Sequence, residues 1–313
     1  MSSLAVRRLL FAIFLPRLLA VVGFVTTGGV VSAQDLEPRA YANTPVGLNF
    51  LIGGYAYSQG NVGVDPAVPI TDTEIKLNSA VFAYVRTLNL WGRSGKFDLI
   101  VPYTWVDGSA KLAGQARTRK VSGFNDPRLR LSMLLYGAPA LTLDEFRDYQ
   151  PELIVGSSVE VTPPLGKYES DKLVNVGTNR WSFKPELGVS KTWGPVTLEL
   201  AGGVRFYTYN NDFLDGKTLQ VSPVYSVQGH LIYSITPGVW LGFDALYYTG
   251  ARGTIDGDKG ESLENVRVGL PLELPINRYN SVKLYGSTNA YAKTGADLDV
   301  LGVAWQLRWG GGL

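Results

Sequence analysis

From residue 47 to Trp309 the chain alternates apolar and polar residues in short runs of period two, and the 3.6-residue period of an amphipathic helix is missing from them. In 128–136, for example, Leu129, Leu131, Met133 and Leu135 alternate with Arg128, Arg130 and Ser132. The runs predict strands at 47–57, 73–87, 97–106, 128–136, 152–162, 181–192, 196–209, 223–236, 239–249, 264–275, 281–292 and 300–309. Charged residues such as Glu199, Arg205, Arg267, Glu273 and Lys283 fall on the polar phase, while the opposite phase is apolar. A soluble sandwich turns its apolar phase inward; about twelve such runs behind an export signal predict the inverse. That design is all-β: a closed antiparallel transmembrane β-barrel, greasy outside and polar within.

The connections support this topology. Those at 58–72, 107–127, 163–180, 210–222, 250–263 and 293–299 are long, whereas 92–96, 193–195, 236–238 and 276–280 are short. Long extracellular loops and short periplasmic turns, with an even strand number, put both ends of the barrel chain on the periplasmic side. The short turns carry Gly and Pro, as in Trp193-Gly194-Pro195 and Thr236-Pro237-Gly238. The segment 137–151 is longer; Thr142-Leu143-Asp144-Glu145 reads as a capping box and predicts one or two helical turns there. Residues 34–46 read as a periplasmic lead-in, and 47–313 as one barrel domain.

Strand parity assigns side chains to faces. It places Glu74, Lys76, Arg86, Asp98, Arg128, Arg130, Glu160, Lys184, Glu186, Glu199, Arg205, Asp244, Arg267, Glu273, Lys283 and Arg308 in the lumen, as a network that braces the wall and restricts flow. It also turns Tyr55, Tyr57, Tyr207, Tyr209, Tyr248 and Tyr291 inward at the mouth and Tyr247 toward lipid. Inward phenols would either stack on aromatic solutes or stiffen the mouth. The loop 61–70, with Val62, Val64, Val68 and Ile70, is apolar enough to fold into the mouth or to pack on neighbouring loops.

Composition narrows the class. Arg7-Arg8, the apolar runs 9–15 and 18–25, and the small residues Val31-Ser32-Ala33 predict a cleavable signal peptide over 1–33, hence export to the outer membrane. The sequence has no cysteine, which excludes disulfides, thiolate metal sites and a lipidated Cys. Its 29 basic and 27 acidic residues nearly cancel, so no bulk field recruits nucleic acid, and no strongly ion-selective pore is indicated. Beyond the signal no apolar run is long enough for a membrane helix. The expected partners are outer-membrane lipids, a small solute and, during biogenesis, periplasmic chaperones and the barrel-assembly machinery; no cofactor or metal is expected.

Candidate catalysis is thin. The single histidine, His230, lies on an inward phase, with neither a nucleophile nor an orienting acid identifiable beside it. Asp256-Gly257-Asp258-Lys259-Gly260-Glu261 gathers carboxylates in a Gly-rich loop but lacks the length and flanking helices of an EF-hand. The alternatives to a channel are therefore a structural or adhesive barrel with a plugged lumen and an outer-membrane lipolytic enzyme.

Several separated blocks carry a family resemblance: Pro38-Arg39-Ala40-Tyr41-Ala42-Asn43-Thr44-Pro45, Asp126-Pro127-Arg128-Leu129-Arg130, Gly177-Thr178-Asn179-Arg180-Trp181, Tyr225-Ser226-Val227-Gln228-Gly229-His230 and Leu301-Gly302-Val303-Ala304-Trp305-Gln306. The chain resembles the "MetA-pathway of phenol degradation" family of outer-membrane transporters over nearly its whole mature length. The resemblance implies passage of aromatic or other hydrophobic solutes, and it brings no set of binding residues. The ending departs from the aromatic terminus of many barrels, since Trp309 is followed by Gly310-Gly311-Gly312-Leu313.

Overall fold

The computed structural model describes residues 36–63, 70–112, 115–172, 174–214 and 216–313. The expected signal peptide, and the centre of the apolar loop at 64–69, lie outside the described residues. The strands in chain order are β1 (Leu48–Gly63), β2 (Ile70–Leu90), β3 (Arg93–Leu112), β4 (Gln115–Phe124), β5 (Arg128–Tyr136), β6 (Leu153–Thr162), β7 (Ser182–Trp193), β8 (Val196–Tyr207) and β9 (Asn210–Phe213). They continue as β10 (Lys217–Val221), β11 (Val224–Thr236), β12 (Val239–Gly250), β13 (Gly253–Ile255), β14 (Asp258–Lys259), β15 (Leu263–Pro275), β16 (Asn280–Ala292) and β17 (Gly295–Gly310).

Twelve of these close a ring. The order runs β2, β1, β17, β16, β15, β12, β11, β8, β7, β6, β5, β3, and the β2–β3 pairing completes it with antiparallel neighbours throughout. Closure pairs each of the twelve with a neighbour on both sides, which a lipid-embedded sheet requires. The first and last strands meet in an unbroken register from Leu48↔Gly310 to Gly63↔Gly295. Expected loop 107–127 is largely strand: β3 pairs with β5 near its start and with β4 farther out, so β4 and β5 act as one partner interrupted at Asn125–Pro127. The short strands β9, β10, β13 and β14 form a separate four-stranded sheet from the long-loop connections. The capping box forms: Thr142 donates its N–H and hydroxyl to Glu145 Oε2, both at 2.8 Å. It starts only a single 3-10 turn, Glu145–Asp148.

Outward side chains are exposed and apolar, among them Leu131, Leu187, Leu200, Leu231, Phe243 and Leu301. Aromatics band this wall at the long-loop end (Tyr103, Trp105, Phe124, Trp181, Phe183) and at the short-turn end (Tyr84, Trp193, Trp305, Trp309). Exposed apolar flanks with aromatic girdles are the signature of a wall solvated by lipid.

Parity needs correction on three strands. On β1 and β2 the apolar phase is the inner one: Leu77, Ala83 and Ala56 are buried in the bore, while Tyr55 (46% exposed) and Phe82 (59%) face out. Tyr55 and Tyr57, with Glu74, Lys76 and Arg86, therefore stand on the outer surface rather than in the lumen. Glu74 and Lys76 pair there at 2.9 Å, on a part of β2 beyond the apolar band where water accepts charge, so their polarity reported height and not face. The inner apolar phase is tolerated because loop residues Val174 and Val176 fold onto Leu77, Val106 and Leu298. On β16 a bulge lets Arg267 pair with Asn289 but Val266 with Tyr291, and the extra residue turns Tyr291 outward. Tyr209 sits in the exposed link between β8 and β9.

The largest departure concerns the lead-in. Residues 36–46 do not stay below the barrel; they enter it. Val46 N–H bonds Leu141 O at the short-turn rim, Tyr41 is only 2% exposed, and Leu36 packs with the apolar cluster of Phe213, Leu219, Leu246, Tyr248, Ile255 and Leu263 toward the far end.

Candidate functional site

The bore is built from rows of cross-strand neighbours. Asp98, Arg130, Glu160 and Lys184 stand opposite one another across β3, β5, β6 and β7. Period-two alternation puts all of them on one face, and antiparallel pairing brings them side by side. Arg130 Nε holds Asp98 Oδ2 at 2.8 Å, Arg205 Nη2 holds Glu160 Oε1 at 2.7 Å, Arg128 Nη1 lies 4.0 Å from Glu160 Oε2, and Lys184 Nζ meets Glu186 Oε2 at 2.8 Å. Arg205 also bonds Ser182 Oγ at 3.0 Å. Buried charges are tolerated when they are paired, and each charge of this row has a partner of opposite sign.

A second row crosses β8, β11 and β12, where His230 stands between Glu199 and Asp244. His230 is 2% exposed, and its Nδ1 lies 2.7 Å from Asp244 Oδ1. Its register neighbours are thus carboxylates on both sides, with no hydroxyl nucleophile, and it faces the bore rather than lipid. Glu273 accepts Ser281 Oγ at 2.9 Å, Lys283 Nζ lies 5.9 Å from the Trp240 ring, and Arg267 is held by Ser287 and by Leu298 O. Arg308 does not join these rows; its Nε donates to Arg278 O at 2.7 Å and ties down a short turn. Tyr248 faces the bore and accepts a bond from Asn265 Nδ2 at 2.6 Å; Tyr207 also faces the bore, with the Arg180 guanidinium 4.6 Å from its ring.

The inserted segment links these rows. Glu37 pairs with Arg130, Arg39 N–H donates to Glu199 Oε2 at 2.6 Å, Lys96 Nζ donates to Ala40 O at 2.6 Å, and Tyr41 Oη donates to Glu186 Oε1 at 2.9 Å. Arg39 Cζ lies 5.6 Å over Trp240. The Tyr41 ring lies against Gly156 and Gly188, which are partners across β6 and β7; a Cβ on either would overlap it. Sequence reasoning missed this contact, although two inward glycines inside strands are a signal of close approach.

At the long-loop end Asp126 staples loop 163–180. Its Oδ1 accepts Gly166 N–H at 2.8 Å, and its Oδ2 accepts Thr178 N–H at 2.8 Å and Thr178 Oγ1 at 2.6 Å. Two of the blocks that carried the resemblance thus meet in space. Arg119 Nη2 bonds Glu169 Oε2 of the same loop at 3.0 Å and holds that carboxyl below the usual carboxylate range. In loop 256–261 the Asp256 carboxylate accepts Thr218 N–H at 3.0 Å, and among the described residues no group of His, Cys, Asp or Glu is placed to hold a metal.

Residues 54–296 match the family described as "Putative MetA-pathway of phenol degradation". No curated protein matches the chain. Among solved structures, the COG4313 outer membrane channel from Pseudomonas putida F1 is similar with a TM-score of 0.75 and 18% identity, covering 88% of this chain and 100% of that one. The transport unit of the autotransporter AIDA-I from Escherichia coli follows at 0.56 and 9% identity, over 93% and 98%. At these identities the likeness establishes the outer-membrane barrel fold.

Proposed function

Since the chain belongs to the family described by the MetA pathway of phenol degradation, we propose that it is an outer-membrane channel for passive uptake of small aromatic or hydrophobic molecules. The carrying observation is a closed ring with a lipid-type outer wall around a bore lined by paired charges. Paired signs leave little net field along the path, which suits neutral solutes better than ions. The similar Pseudomonas putida structure is that of an outer membrane channel, in keeping with this reading. Export by a signal peptide ending at Ala33, and assembly with periplasmic chaperones and the barrel-assembly machinery, belong to the same proposal. Trp309 would supply the aromatic assembly signal near the end of β17.

Uptake of labelled phenol into proteoliposomes tests the function. Entry should exceed that into empty vesicles and exceed entry of a charged solute of similar size; equal rates with and without protein would overturn it. The filled bore favours one second reading, a structural barrel with a plugged lumen. Under that reading phenol entry stays at the empty-vesicle rate even when residues 36–46 are removed.

A further inference from the structure

The Tyr41 site has the features of a receptor for a small phenol. Its walls are Gly156 and Gly188, bare of side chains, with Leu134, Ile154 and Ala201 clustered around the ring. Its polar end is Glu186, whose Oε1 accepts the phenolic hydroxyl while its Oε2 is fixed by Lys184 at 2.8 Å and by Gln228 Nε2 at 3.3 Å. An oriented acceptor at the end of a flat apolar slot selects an aromatic ring bearing a hydroxyl, and an analogue without the hydroxyl leaves that buried carboxylate short of a donor.

We propose that this slot is the channel's binding site for phenolic solutes, and that Tyr41 occupies it as a built-in competitor. The proposal rests on the uptake reading for the solute's route, but the slot can be tested by binding alone. A solute that takes the place of Tyr41 removes the central anchor of segment 36–46 and leaves the Glu37, Arg39 and Ala40 contacts to hold it. Occupancy of the slot is thereby coupled to clearing of the bore. A tethered competitor acts at an effective concentration of about millimolar, so solute would capture the slot only near millimolar levels and would leave it readily.

The test is chemical rescue. Tyr41→Gly removes the side chain whose free form is p-cresol. In detergent micelles the variant should unfold at a lower temperature than wild type. Millimolar p-cresol should restore several degrees, toluene distinctly less, and the double variant Tyr41→Gly, Gly188→Leu should gain nothing from either. Equal effects of p-cresol and toluene, or an equal gain in the double variant, would overturn the site. A second measurement leaves Tyr41 and its slot intact. The sequence has no native cysteine, so a fluorophore on Ala42→Cys reports the segment alone, and p-cresol but not toluene should increase its rotational freedom. An unchanged probe signal up to ten times the millimolar range would sink the competition. If phenol still enters proteoliposomes while rescue fails, the slot is wrong and the channel reading stands.

Discussion

Single residues in this barrel do their work through partners supplied by other strands. Glu160 is the common partner of Arg128 and Arg205, and Glu160→Gln would leave two buried guanidiniums short of charge. Breaking a buried pair from one side costs about 3–5 kcal/mol, so the variant should lose its resistance to heat on gels at a clearly lower temperature than wild type. Asp126→Ala removes three acceptor contacts at once and should open loop 163–180 to protease without unfolding the barrel. The Arg119–Glu169 pair gives that loop a pH dependence. Because the folded pKa of Glu169 is depressed, its contribution is present above the unfolded pKa, about 4.3, and is lost as pH falls through the folded value. Protease resistance of the loop should drop in that acid window, and Arg119→Met should flatten the response.

At the scale of the strand, polarity must be weighed with height. The runs were legible because period two survives along nearly every barrel strand, and the faces of β5 to β8, β11 and β12 followed from it. On β2 the charged residues lie toward the ends while the middle of the outer face is Ala80, Phe82 and Tyr84, so end charges misdirected the parity. The measurable consequence is a reversal of sensitivities. Phe82→Arg should destabilise the barrel by about 2–4 kcal/mol in urea unfolding if it sits near the bilayer midplane, whereas Arg86→Ala on the exposed rim should change it by less than about 0.5 kcal/mol. The bulge on β16 was illegible for a different reason: an extra residue that changes pairing but not hydrophobicity leaves no mark on a period-two pattern. The inserted segment was illegible because its contacts span distances such as the 145 residues between Tyr41 and Glu186, and nothing local to a Pro- and charge-rich stretch announces them.

Taken whole, the molecule is a membrane cylinder whose contents come from both of its ends. Polar rows and the segment 36–46 fill one half, and apolar clusters from the long connections fill the other. Deleting 36–46 should therefore raise single-channel conductance in planar bilayers, with the barrel still folded by circular dichroism. The seam between β1 and β17 joins residues such as Asn49 and Trp309, 260 positions apart. Contacts of such separation are slow to form because the chain must surrender loop entropy before they reward it. The ring can close only after the last strand has arrived, so the bore that holds segment 36–46 is complete only from that moment. Biogenesis thus has an order of events written into its geometry: the last strand seals the vessel, and the segment ahead of β1, which passes the short-turn rim at Val46, can settle into the finished bore through its open end.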